Sequence, residues 1–150
     1  IGKQIVRVNA DQYKTQKFRN YYKRFIKQGK LITNTSPKVI HADPNQNNII
    51  VTDANIYMVD WDNILLSDPL RDIGLILWWY LKKEHWLKAF KRFGLADNQE
   101  TYHRLYWWVA ARSLTISLWF LINKNSVKES LSYLEDFYFA VDKKENPHLQ

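Results

Sequence analysis

The stretch Val39–Asp72 limits what this chain can fold into more than any other part of it. His41, Asp43, Asn45, Asn47, Asn48, Asp60, Asp62, Asp68 and Asp72 sit there among short β-branched runs, whereas the rest of the sequence is patterned as helix. Two runs, Asn48–Thr52 and Asn55–Val59, flank Asp53–Ala54. Short strands parted by two turn-forming residues predict a β-hairpin. Antiparallel pairing brings Asn48, which starts the first arm, beside Asp60, which ends the second. Asp43 lies in the loop just before. Carboxylates crowded in this way repel, and burying them unpaired is costly, so the cluster implies cations or hydrogen-bond donors nearby. Oxygen donors of this kind suit Mg²⁺, which takes one or two carboxylates together with water and substrate phosphates.

The charge distribution agrees. Residues 1–40 hold ten Lys or Arg against one Asp, and residues 41–75 hold six Asp against Arg71 alone. An acidic island in a chain of net charge +7 points to a bound cation at the island. The basic N-terminal third is best read as a solvated helix face, with a nucleic-acid-binding module as the alternative. The absence of cysteine excludes disulfides and thiolate metal sites and favours a cytoplasmic setting. His85, His103 and His148 lack metal-ligand spacing.

Only four Gly and four Pro among 150 residues argue for long helices over a many-turned β fold. The fold class expected is mainly α with a small β-hairpin. Residues 3–9 suggest a strand or extended lead-in. Asp11 offers an N-cap for an amphipathic helix over Tyr13–Lys27, with Phe18, Tyr21, Tyr22, Phe25 and Ile26 on one face and Gly29 as its C′ residue. Asp68-Pro69 predicts a helix start, Asp as N-cap and Pro in the first turn, with Ile73–Leu81 central and buried. A short helix over Glu84–Phe93 stops at Gly94. Asp97 or Asn98 caps a long one reaching about Ile122. Arg112 at the centre of its apolar run Leu105–Ile122 argues for a buried helix and against a membrane span, and calls for a carboxylate partner. Ser126 caps the last helix, whose stripe is Val127, Leu131, Leu134, Tyr138 and Val141. The tail from Lys143 is expected to fray. The clusters Trp78-Trp79-Tyr80 and Trp107-Trp108 read as core first, and second as an aromatic box for a cationic amine. Starting at Ile1, with no signal-peptide layout, the chain reads as having a trimmed or fragmentary N-terminus.

His41-Ala42-Asp43-Pro44-Asn45-Gln46-Asn47-Asn48 resembles the H-x-D-x-x-x-x-N pattern of the kinase-like fold. Val59-Asp60-Trp61-Asp62 resembles the I-D-W-E form that aminoglycoside phosphotransferases and choline kinases carry in place of D-F-G. Ser67-Asp68-Pro69-Leu70-Arg71-Asp72 resembles their G-D-P-x-x-D segment. The three motifs follow in the family's order. The resemblance implies the C-terminal lobe of the protein kinase-like (α+β) fold. Residues 1–37 would be lead-in and basic helix, 38–72 the catalytic and metal-binding loops, and 73–150 the helical scaffold and substrate side. It further implies Asp43 as catalytic base, Asn48 and Asp60 as Mg²⁺ ligands, and His41 and Asp72 as supports of the catalytic loop. Asp62 and Asp68 are implied as aids to metal or substrate.

The expected activity is transfer of the γ-phosphate of ATP or GTP to a hydroxyl of an aminoglycoside-, choline- or other amino-alcohol-like molecule. No membrane or nucleic-acid partner is expected. The family pattern reads H-G-D-x-H-x-G-N, so Ala42, Asn45 and Asn47 depart from it. No Gly-rich loop or strand lysine with a helical Glu partner is identifiable, so an N-terminal lobe is missing from these residues. A non-catalytic kinase-like remnant is the alternative.

Overall fold

A computed structural model of the chain describes residue 5, residues 10–32 and residues 35–149. The lead-in expected over residues 3–9 lies, apart from Ile5, outside the described residues. The order of elements is α1 (Gln16–Gly29), β1 (Lys38–Ile40), β2 (Ile49–Val51), β3 (Ile56–Met58), β4 (Leu65–Ser67), α2 (Leu70–Tyr80), α3 (Trp86–Phe93), α4 (Gln99–Lys124) and α5 (Val127–Val141). The molecule is mainly helical with two small antiparallel sheets.

Helix α4 is the axis. Leu105, Val109, Ala110, Leu114 and Leu118 along it are fully buried, and α1, α2 and α5 all pack on it. Its length and apolar composition would also fit a membrane span; here the other helices bury part of it, while Trp119 and Ile122 near its end stay exposed. The Asn98 side chain caps it, accepting from Thr101 N–H at 2.9 Å. On α2, Leu75, Leu77 and Trp78 are buried against α4; truncating a fully buried aromatic such as Trp78 to Ala costs about 3–5 kcal/mol.

Helix α1 starts later than expected. Asp11–Tyr13 form a single 3-10 turn, and the cap is Thr15, which accepts from Phe18 N–H at 3.0 Å. Gly29 is not a C′ residue either, because the helix runs through it to a cap at Lys30 with ordinary right-handed geometry. A Cβ at Gly29 would lie 2.7 Å from Trp107 Nε1, so the glycine permits close approach of α4. Trp107 stacks on Phe25, with centroids 5.3 Å apart and planes 6° from parallel. Gly94 does take the predicted role, closing α3 at φ +66°.

The last helix exposes part of the stripe assigned to it. Val127 and Leu131 are 51% and 47% exposed, while Ser130, Leu134, Phe137, Ala140 and Val141 face inward. The buried hydroxyls explain the shift. Ser130 and Ser117 bond each other and Tyr13 Oη, which lies 2.6 Å from Ser117 Oγ, and this fixes the rotation of α5 against α4. Ser126 sits at the N-cap position without a side-chain cap bond. The tail is docked, not frayed. Asn146 is buried and donates to the Trp78 carbonyl at 2.7 Å.

The hairpin forms as predicted, with Ile49 opposite Met58 and Val51 opposite Ile56. A second sheet was not expected: β1 pairs with β4, Lys38 opposite Ser67 and Ile40 opposite Leu65. Together the two sheets hold the loop after β1, the hairpin and the start of α2 next to one another.

Candidate active site

The loop after β1 is fastened from behind. His41 N–H donates to Asp72 Oδ2 at 2.8 Å, and Ala42 N–H reaches both Asp72 oxygens at 3.1 Å. Asp72 stands in the first turn of α2, where the helix dipole favours a carboxylate. The buried His41 ring has both nitrogens engaged. Nδ1 accepts from Asp43 N–H at 3.3 Å, so the proton sits on Nε2, which donates to the Val59 carbonyl at 2.7 Å. One imidazole thus ties the loop to the far arm of the hairpin. Ala42 has φ +66°, a left-handed conformation that costs a residue with a Cβ about 1–2 kcal/mol. The Asp72 clamp on its N–H holds that strain in place.

At the foot of the hairpin, Asn48 closes a 3-10 turn, Gln46–Asn48. Its Nδ2 donates to the Asp43 carbonyl at 3.0 Å, and its carbonyl accepts from Val59 N–H at 2.9 Å. The amide is therefore fixed by its nitrogen, and Oδ1 accepts no hydrogen bond among the described residues. One residue past Val59, Asp60 adopts φ +62° and ψ 59°. It is exposed, and its carboxylate has no hydrogen-bond or ion-pair partner among the described residues. The hairpin ladder sets Asn48 opposite Val59, one residue before Asp60, and an amide oxygen and a free carboxylate are hard-oxygen donors of the kind Mg²⁺ takes. Among the described residues no group of three or more His, Cys, Asp or Glu gathers to hold a metal. An ion here would take its other oxygens from water and phosphate. Asp62, in the 3-10 turn Trp61–Asn63, is exposed and likewise unpartnered among the described residues.

Asp43 faces the helical side. Its Oδ1 accepts from an Arg112 terminal nitrogen at 2.8 Å and its Oδ2 from Asn45 Nδ2 at 3.0 Å, with the carboxylate 31% exposed. A cavity of about 280 Å³ opens between Asp43, Trp79, Tyr80, Tyr133 and Arg112. Another of about 330 Å³ opens between Asp43, Arg112, Thr115, Trp119 and Phe120. The mid-helix position of Arg112 signalled a carboxylate partner; that the partner is the loop aspartate was not readable.

Asp68 supports the start of α2, as expected, but departs from the metal- or substrate-assisting part that the resemblance implied. It is 3% exposed and accepts from Arg104 Nε at 2.9 Å, a terminal nitrogen of Arg104 at 2.6 Å, Trp108 Nε1 at 3.0 Å and Leu70 N–H at 3.0 Å. Burial alone would push its carboxyl up, but these hydrogen bonds and the Arg104 charge outweigh burial and hold it below the usual carboxylate range. With its acceptor positions filled inside the protein, Asp68 anchors α2 to α4 and has nothing left for metal or substrate. Arg104, its bidentate partner, was not singled out from the sequence. An arginine two turns from Arg112 on the same apolar helix was the only signal.

Of the aromatic clusters, Trp78 is buried core; Trp79, whose indole N–H donates to Asp136 at 3.1 Å, and Tyr80 line the cavity beside Asp43, while Trp107 and Trp108 line a separate cavity in which the Trp108 face carries the Arg71 guanidinium at 5.6 Å.

Residues 8–108 match APH, the phosphotransferase enzyme family. The match spans more than half of the chain and contains the whole Val39–Asp72 stretch, so the chain belongs to this family, whose members are phosphotransferases of the kinase-like type.

Proposed function

We propose that the chain is the C-terminal lobe of a kinase-like enzyme that moves the γ-phosphate of ATP to an alcohol hydroxyl of a small molecule, with Mg²⁺. The observation that carries this reading is the fixed Asn48 oxygen and the free Asp60 carboxylate beside the Asp43 loop, in a chain of phosphotransferase family. Asp43 orients the acceptor hydroxyl and accepts its proton. The acceptor oxygen bonds to the γ-phosphorus as the bond from that phosphorus to the β–γ bridging oxygen breaks. The products are a phosphate monoester and ADP, and the proton on Asp43 passes to water. Bound Mg²⁺ would supply neutralisation of the phosphate charge, and Asn48 and Asp60 are the residues that would hold it.

His41 and Asp72 act through the loop backbone and touch no reactant; their part is to keep Asp43 within reach of the hydroxyl. The loop that covers the nucleotide phosphates belongs, on this reading, to an N-terminal lobe outside these 150 residues. The test is phosphoryl transfer from ATP by the polypeptide carrying both lobes. Asp43→Asn is expected to lower kcat by roughly 10²–10⁴-fold with an unchanged circular dichroism spectrum. Transfer at the wild-type rate would contradict the assignment.

A further inference from the structure

We propose that the acceptor of this enzyme is an anion, a hydroxyl compound bearing a phosphate or carboxylate group, seated by Arg71 and Arg112 in the aromatic cavity between α1 and α4, which shares Arg112 with the two cavities that Asp43 lines. This deepens the phosphotransferase reading and rests on it for the role of Asp43. The cavity, about 450 Å³, lies between α1 and α4 and is lined by Tyr22, Phe25, Trp107 and Trp108 together with the two guanidiniums, and by no carboxylate. That volume fits a small metabolite.

Arg112 joins the cavity to the chemistry. It lines this space and both cavities that flank Asp43, and one of its terminal nitrogens lies 2.8 Å from Asp43 Oδ1. Asp43 thus fixes the guanidinium while its remaining N–H groups stay available. Arg112 also lies beyond residues 8–108, so family membership by itself assigns it nothing.

Arg71 supplies the second charge. It lies over the Trp108 ring and makes no ion pair among the described residues. The carboxylates on either side of it in sequence are already engaged, Asp68 by Arg104 and Trp108, and Asp72 by the loop N–H groups. Two guanidinium forks facing one cavity without an acid to neutralise Arg71 match a planar or tetrahedral oxyanion. The same charges repel an ammonium group. A polycationic or quaternary-amine acceptor, the class the sequence resemblance suggests, therefore fits this cavity poorly, while stacked aromatic walls favour an acceptor with an apolar or planar body.

The test is a titration of the ¹⁵N-labelled chain followed through the Trp107 and Trp108 indole N–H and the arginine Nε–H signals. Phenyl phosphate and phenylacetate, as separate arms, distinguish phosphate from carboxylate, and benzyltrimethylammonium is the cationic counterpart. The expected result is saturable shifts with at least one anion and none with the ammonium probe. Arg71→Ala and Arg112→Gln should each weaken anion binding roughly tenfold. Arg71→Ala leaves the Asp43 pair untouched, so its result does not depend on loop integrity. Indole shifts with the ammonium probe, or anion binding that neither substitution weakens, would overturn the proposal. Mn²⁺ added to the same sample separates the two claims. Loss of the Asn48 and Asp60 signals to broadening without anion binding sinks the anionic acceptor alone, while anion binding without that broadening sinks the metal-dependent reading.

Discussion

The acidic island of this molecule has a back and a front, and they are built oppositely. At the back, Asp68 and Asp72 spend their oxygens inside the protein, on the Arg104 fork, the Trp108 indole and backbone N–H groups. At the front, Asp60 and Asp62 are exposed and accept nothing from the described residues. The two pairs stand within one short stretch and are chemically identical residues. What separates them is whether donors converge on the carboxylate. A satisfied carboxylate stabilises a fold, whereas an unsatisfied one retains capacity for a ligand. Asp43 lies between the classes, half-exposed and held by Arg112 and Asn45.

The comparison breaks if back and front respond alike to substitution. The largest expected effect on stability is at the back. Asp68→Ala leaves the part-buried Arg104 with only Glu100 at 4.0 Å and should cost up to about 3 kcal/mol in unfolding free energy, read from urea denaturation. The pH dependence has a definite sign. Because the folded-state carboxyl of Asp68 is held below the usual range, its contribution is fully present above the ordinary carboxylate pKa. It is lost as pH falls through the depressed folded value. Wild type and Asp68→Ala should therefore converge in stability on the acid side.

Asp136 sharpens the point, because it is buried with no arginine or lysine partner among the described residues. It is 2% exposed, takes one hydrogen bond from Trp79 and has His148 Nε2 at 3.5 Å from its other oxygen. Burial pushes its carboxyl above the usual range, and the Trp79 bond and the His148 charge offset only part of that. The sign is opposite to that of Asp68: the ionised form costs stability, which is regained as pH falls through the raised value. Asp136→Asn should then stabilise the protein at neutral pH by about 1 kcal/mol, an increase readable as a higher thermal midpoint. A loss as large as that of Asp68→Ala would mean that burial alone, not partnering, marks the structural acids.

A smaller effect is expected where back meets front. Ala42 is strained at φ +66° under the Asp72 clamp, so Ala42→Gly should relieve strain and, after the glycine entropy cost, stabilise by up to about 1 kcal/mol. A destabilisation measured by denaturation would show that the Ala42 methyl group, buried in the loop, contributes more than the strain it causes.

Much of this division was readable in the sequence where the signal is local. The hairpin with its Asp53–Ala54 turn, the Asn98 cap and the Gly94 stop each rest on a few adjacent residues, and the structure contains all three. What was missed depends on distant partners. The strand Leu65–Ser67 exists because Lys38–Ile40 lies beside it, and three residues alone carry no usable period. The rotation of the last helix follows from Ser130 meeting Tyr13 and Ser117, a contact that hydrophobic spacing does not report. Asp68-Pro69 marks a helix start locally, but that the Asp68 carboxylate is filled by Arg104 and Trp108, 36 and 40 residues away along the chain, is not readable there.

The measurement that bears most directly on the account is Mn²⁺-induced broadening in the chain's ¹H–¹⁵N spectrum, compared between wild type and Asp60→Ala alongside their denaturation midpoints. The account predicts that wild type loses the Asn48 side-chain amide and Asp60 backbone signals at low Mn²⁺. Asp60→Ala should keep them while its stability stays within about 0.5 kcal/mol of wild type. Equal broadening in both proteins, or a stability loss in Asp60→Ala on the scale of Asp68→Ala, would contradict it.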